Sequence, residues 1–170
     1  GGLGISVYVG SKKGSASTAD LSPAALRLTV EKAIEIARYT SEDPCSGLAD
    51  AELIARDFPD LDLYHPIELD AEAGIAMAIR AEQAAFAADP RINNSDGASY
   101  NANLGVKVYG NSHGINAGYP SSRYSLSCVL IAEQDGDMQR DYAYSVSREA
   151  HCLDTPEQIG IEAAKATVSR

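Results

Sequence analysis

Histidine and cysteine are the side chains here with the widest chemical range, and their spacing limits what they can do. His65, His113 and His151 are scattered along the chain. A helical zinc site needs two histidines one turn apart, as in His-Glu-x-x-His, and no such run occurs. His113 stands between Ser112 and Gly114 in a polar run that reads as a tight turn, where histidine is among the non-glycine residues that tolerate positive φ. His151 and Cys152 are adjacent. On a strand, neighbours point to opposite faces, so they are not expected to act as base and nucleophile. Cys45, Cys128 and Cys152 are odd in number and lack Cys-x-x-Cys spacing, which argues for a reducing compartment rather than a disulfide framework. Cys128, inside the apolar run 124–133, reads as a small core hydrophobe.

Other candidates are weaker. Asp135-Gly136-Asp137 lacks the remaining ligands of a calcium loop and reads as a hairpin turn. Neither common glycine-rich phosphate fingerprint is present. Asn93-Asn94-Ser95 matches a glycosylation sequon, a frequent chance match. Arg123, Arg140 and Arg148 fall near strand ends with Asp137 and Asp141 close by. Ion pairs across a sheet are the expectation, with contact to a ligand carboxylate or a partner as the sharper alternative.

The elements that must position these residues centre on 91–148, an antiparallel meander with glycine- and asparagine-rich turns at 110–114 and an Asp-Gly turn at 135–136. A strand from Ile92 falls into a turn by Gly97, and another alternates through Gly105-Val106-Lys107-Val108-Tyr109. Tyr142, Tyr144 and Val146 share one face of the last strand, and Asp141, Ala143 and Ser145 the other.

Ahead of the meander, residues 5–9 alternate as a strand, 10–14 turn, and 15–19 form its partner. Ser22-Pro23 opens a helix over 23–39, with Leu26, Val30, Ala33, Ile34 and Ala37 facing inward. Residues 40–66 show no sustained period, and 49–55 suggests at most a short helical turn. The aspartates of this link read as a solvated acidic face. Asp70 caps a second helix, 71–88, whose stripe is Ile75, Ala78, Ile79, Glu82, Ala85 and Phe86, and Asp89-Pro90 ends it. Thr155-Pro156-Glu157-Gln158 opens the last helix, with Ile159, Ala163, Ala166 and Val168 inward.

The order is β-β-α-α-β-β-β-β-α, an α+β fold with helices on one face of a largely antiparallel sheet. The other face is left open or covered by a partner. The length of 170 residues suits a single domain, 1–170. A net charge of −10 and no basic patch argue against nucleic acid. No apolar run approaches a membrane span. The start, Gly1-Gly2-Leu3-Gly4-Ile5, has no methionine and no basic leader, and reads as a strand cut from something longer.

A resemblance adds to this reading. Residues 13–23, Ala37-Arg38-Tyr39-Thr40-Ser41-Glu42-Asp43-Pro44-Cys45, Asp60-Leu61-Asp62-Leu63-Tyr64-His65-Pro66, Gly110-Asn111-Ser112-His113-Gly114 and the block 131–144 resemble, in the same order, segments of the PmbA/TldE branch of the TldD/PmbA (modulator of DNA gyrase) metalloprotease family. The resemblance implies a fragment of that family's N-terminal domain, without the C-terminal domain. It implies a non-catalytic, cytoplasmic subunit that forms a heterodimer with a TldD-like subunit, or self-associates. The complex would be a zinc-dependent protease acting on unfolded or modified peptides. In the family the His-Glu-x-x-x-His zinc motif belongs to the TldD subunit and lies beyond the matched region. No catalytic or metal residue is therefore carried over, no cofactor is expected in this chain, and zinc is expected in the partner. An exposed sheet edge would hold an extended peptide by main-chain hydrogen bonds. Asn111, His113, Arg123 and Asp141 are the residues expected to meet peptide or partner. The alternative is a non-proteolytic regulatory module, an acidic domain that binds a basic protein surface.

Overall fold

A computed structural model describes residues 1–68 and 70–169. The length suggests one domain, but the chain divides into two compact units, Gly1–Arg56 and a second from Asp57 onward.

In the first unit, β1 (Leu3–Val9) and β2 (Lys12–Thr18) pair antiparallel from Leu3 opposite Thr18 to Val9 opposite Lys12. The turn is only Gly10-Ser11, with Gly10 at φ +61°, so Lys12–Gly14 belongs to the strand rather than to the turn expected over 10–14. Gly14 serves packing. A Cβ there would overlap the Ala33 carbonyl oxygen and the Ala37 amide of α1 (Pro23–Tyr39). That close approach explains why α1 buries Thr29, Ala33 and Ala37, while Val30 of the expected stripe stays exposed. The ends of α1 are set locally: Ser22 Oγ accepts from the Ala25 amide at 3.4 Å, and the Thr40 amide returns to the Ile36 carbonyl at 3.0 Å. Residues 40–56 hold hydrogen-bonded turns, one closed from the Leu53 amide to the Asp50 carbonyl, but no helix or strand.

The second unit contains α2 (Ala71–Ala88), β3 (Ile92–Gly110), β4 (Asn116–Gln134), β5 (Asp137–Ser147), a 3-10 turn (Ala150–Cys152) and α3 (Pro156–Val168). Its sheet is the expected meander, antiparallel throughout in the order β3-β4-β5. β3 is one strand where the sequence suggested two. Register shifts between Ile92 and Asn94 and between Ser95 and Gly97 absorb the glycine (φ +111°) as bulges instead of a turn. Asp135 and Gly136 both take positive φ, as a tight hairpin connection requires.

α2 and α3 cover one face of this sheet. Leu126, Cys128, Leu130 and Ala132 of β4, with Ile92, pack against Ala81 and Ala85 of α2 and Ile159, Ala163 and Ala164 of α3. The helices approach closely at Gly160, where a Cβ would overlap the Ala81 carbonyl oxygen. Only small residues fit there, so α2 buries Gly74, Ala81 and Ala85 and turns Ile75, Ile79 and Phe86 outward, away from the stripe read from the sequence. α3 likewise buries Thr167 and Gly160 in addition to Ile159 and Ala163, with Ala166 only half-buried. Asp70 and Thr155 cap their helices as expected, the latter in a full capping box with Gln158.

Candidate functional site

The four residues expected to meet peptide or partner do not form one site. Asn111 and His113 are together at the tip of the β3–β4 hairpin, where Asn111 Oδ1 accepts from the His113 amide at 3.0 Å and its side-chain amide donates to Tyr109 OH at 3.2 Å. His113 does not use positive φ; Gly114, at +89°, takes that role. Arg123 is exposed on β4, opposite Asn103 and about 24 Å from the tip at ~3.4 Å per residue. Asp141 lies farther along, opposite Leu130 on the helix-covered face, and its Oδ1 accepts from the Tyr142 amide. A cross-strand ion pair forms between Arg140 and Asp96, at 2.6 Å.

A different group of residues is brought together where the segment 61–67 crosses the end of β5. Past Ser147, the place beside β4 is taken by this strap. The Ser122 amide donates to the Leu63 carbonyl at 2.9 Å. Ser122 Oγ accepts from the His65 amide at 2.8 Å and donates to the Arg148 carbonyl at 2.7 Å. Tyr124, fully buried, donates its hydroxyl hydrogen to the His65 carbonyl at 2.8 Å and accepts from the Ile67 amide at 3.1 Å. The Ser122 and Tyr124 hydroxyls sit on buried residues, so their bonds matter more for the penalty of leaving them unmade than for their own strength.

The strap sets His65 beside the chain leaving β5. His65 Nε2 is 3.0 Å from the Asp62 carbonyl oxygen, 3.3 Å from the Asp62 carboxylate and 4.0 Å from Glu149 Oε1. Glu149 Oε2 is 3.2 Å from His151 Nε2. Arg148 donates to the Leu61 carbonyl and stands 3.9 Å from the Asp62 carboxylate. His151 and Cys152 are in the 3-10 turn, not on a strand as their adjacency suggested, so both donor atoms come within 4.8 Å of Glu149.

Two overlapping donor sets result, Asp62–His65–Glu149 and Glu149–His151–Cys152. Neither fits a hydrolytic metal. His65 Nε2 is 3.0 Å from the Asp62 carbonyl oxygen, a contact that engages this nitrogen as a hydrogen-bond donor rather than as a metal ligand. The Arg148 guanidinium already faces the Asp62 carboxylate. His151 and Cys152 are exposed to solvent, whereas a catalytic metal site is enclosed around its open coordination position. The geometry suits a polar latch that holds the strap against the sheet. Sequence reasoning missed it because its halves are far apart in the chain and only the tertiary fold makes them neighbours.

The sheet face opposite the helices carries Tyr142, Tyr144 and Val146, all exposed, with the two rings stacked at 6.0 Å between centroids. Cys128 is enclosed in the core, and burial pushes its thiol up to about 11, which makes it a packing residue and not a nucleophile. No described helix is long and apolar enough to cross a membrane.

Comparison with known proteins gives this architecture a family. The PmbA/TldA metallopeptidase central domain matches residues 64–170, and domain 1 of the same family matches residues 1–37. The chain is 56% identical over its whole length to the metalloprotease PmbA of Escherichia coli O157:H7 and 54% identical to a PmbA homolog of Haemophilus influenzae, spanning 38% of the length of each. Among solved structures, a Bacteroides thetaiotaomicron protein named for modulation of DNA gyrase superposes with a TM-score of 0.85 at 28% identity, over 98% of this chain and 39% of that one. TldE from Thermococcus kodakarensis shares the fold, with a TM-score of 0.64 at 15% identity over 93% of this chain and 35% of its own. The chain therefore belongs to the PmbA/TldD metallopeptidase family.

Proposed function

We propose that this chain serves as the peptide-holding part of a non-catalytic PmbA/TldE-type subunit. That subunit works in the cytoplasm beside a TldD-like partner that carries the zinc, and the complex cleaves unfolded or modified peptides. The observation that supports this reading best is the edge of the three-stranded sheet. β3 is its outer strand, and residues 101–110 are exposed throughout. Such an edge offers a row of main-chain donors and acceptors, to which an extended peptide adds as a further strand. Recognition by main chain selects for an unfolded substrate rather than for a sequence. The identity to proteins named PmbA metalloprotease supports the protease setting.

Asn111 and His113, at the end of the same hairpin, and Arg123, on the neighbouring strand β4, are the side chains proposed to touch a peptide lying along it. Asp141 faces the helix side and is a weaker candidate. The test is peptide cleavage by this chain, by a TldD-like subunit, and by both, with zinc and with a chelator. Cleavage that needs both proteins and is lost on chelation is expected. Cleavage by this chain alone, or none in any mixture, contradicts the proposal. Alanine at Asn111, His113 and Arg123 should reduce cleavage by the pair, and unchanged rates would remove these residues from it.

A further inference from the structure

Just past β5, metal-ligating atoms concentrate in four residues. Glu149-Ala150-His151-Cys152 carries a carboxylate, an imidazole and a thiol on one 3-10 turn and its cap. Such a helix completes a turn every three residues, so side chains three apart eclipse. Glu149 and Cys152 have that spacing, and His151 stands beside them. One oxygen, one nitrogen and the sulfur then lie within 4.8 Å of one another.

The turn is held at both ends. The Glu149 amide donates to Ser147 Oγ at 3.1 Å, and the Asp154 amide donates to Ser145 Oγ at 3.1 Å. The Cys152 amide returns to the Glu149 carbonyl at 3.1 Å, and Leu153 packs against the helix–sheet core. A fixed backbone therefore presents the donors. Glu149 is half-buried, while His151 and Cys152 reach into solvent.

Distances decide what the set can hold. Zinc binds carboxylate oxygen and imidazole nitrogen at about 2.0–2.2 Å, and a tetrahedral angle then sets those atoms about 3.3 Å apart. Glu149 Oε2 and His151 Nε2 are 3.2 Å apart. A zinc–sulfur bond of about 2.3 Å sets the thiolate about 3.6 Å from the nitrogen, so Cys152 has at most about 1.2 Å to close. An ion pair alone explains the first two atoms and leaves the thiol out. Thiolate is soft and imidazole borderline, which favours zinc-like ions over calcium or magnesium. The exposure that argues against catalysis suits an ion that exchanges with solvent, with water in the fourth position.

We propose that Glu149, His151 and Cys152 form a non-catalytic, exchangeable site for a thiophilic divalent cation of the zinc type. An ion there ties the chain leaving β5 into one knot and fixes the carboxylate whose other oxygen faces His65 at 4.0 Å. This inference does not depend on the peptide-holding reading, because metal uptake by this chain is measured without any cleavage.

Cobalt(II) is the optical probe, added to the chain kept reduced by a phosphine. One cobalt per chain is expected, with tetrahedral visible bands and a thiolate-to-metal charge-transfer band in the near ultraviolet, all displaced by zinc. Calorimetry gives the zinc affinity. Cys152→Ser should abolish the charge-transfer band. Cys152→Ser and His151→Ala should each weaken zinc binding about tenfold or more, since even losing a ligand's own hydrogen-bond partner costs that much. Both side chains are exposed, and circular dichroism checks that each variant is folded. Cys45→Ser, at the other exposed cysteine, should change nothing. His65→Gln separates the overlapping donor set, which lacks sulfur. Binding that is lost with His65 but kept without Cys152 would overturn the proposal. So would no uptake of cobalt or zinc, a charge-transfer band that survives Cys152→Ser, or one ion shared by two chains.

Discussion

Two halves of one hairpin share a pattern and differ in fate. Near the helices, the inward residues of β4 meet Ala81, Ala85, Ile159 and Ala163 and lose nearly all contact with water. Along the arm that β3 and β4 form once β5 has ended at Ser147, Leu104, Val106 and Val108 hold the same face and stay wet. Alternation records that a face is meant to be covered. It does not record by what. In the covered half the answer lies in this chain, as helices small enough at Gly160, Ala81 and Ala85 to close on one another and on the sheet.

The comparison can be broken most severely at Gly160. Gly160→Val drives a side chain into the backbone of α2 at Ala81, and a loss of more than about 3 kcal/mol is expected, at the upper end of overpacking effects. Chemical denaturation would show it, and a near-native midpoint would mean that the helices slide apart freely. A paired test sharpens the contrast. Leu130→Ala should cost about 3 kcal/mol through its cavity, while Val106→Ala should change stability by no more than about 0.5 kcal/mol. Equal costs would show that the arm is already covered within one chain.

Tyr124→Phe probes the boundary between the halves, where the strap is tied down. It removes the partner of the His65 carbonyl and the Ile67 amide, for an expected cost of about 1–3 kcal/mol. Hydrogen exchange should quicken at Ile67 first, and unchanged protection there would show that the strap is held elsewhere.

The smallest effect is expected where α2 passes into β3. The Arg91 side chain and amide hold the Asp89 carboxyl down to about 2 from an ordinary 3.8. A carboxyl depressed by folding contributes stability that is fully present above its unfolded pKa and is lost as pH falls through its folded pKa. A carbon-detected titration should place Asp89 near 2, and denaturation midpoints of the Asp89→Asn variant should converge with those of the parent chain as pH drops from about 4 to about 2. A titration near 3.8 would show that the Arg91 contact does not persist in solution.

Much of the fold was legible because its signals are local. The limits of α1 and α2 follow from Ser22-Pro23 and Asp70, and the start of α3 from Thr155-Pro156 with Gln158. Each cap answers orphaned amides within three residues. The Asp135-Gly136 hairpin is equally local, since its two positive φ values depend on residue type more than on surroundings. The helix faces were less legible. Hydrophobicity pointed to Ile75, Ile79 and Phe86, yet the side of α2 that packs is the one small enough for α3 to approach. The choice belongs to two surfaces, and one helix alone does not contain it. The expected site residues were selected for their place in turns and at strand ends, and the strands are long enough to separate them.

The sequence by itself determined where the three helices start, the antiparallel meander, the α+β class and the core role of Cys128, because those depend on nearest neighbours and on the period of each element. Tertiary structure alone decided the division into two units, the fusion of β3 into one bulged strand and the burial of α2's small-residue side. It also decided the meeting of His65 with Glu149 and the bare face of the arm. These arise from contacts between residues distant in the chain, whose free energy depends on shape and distance in three dimensions.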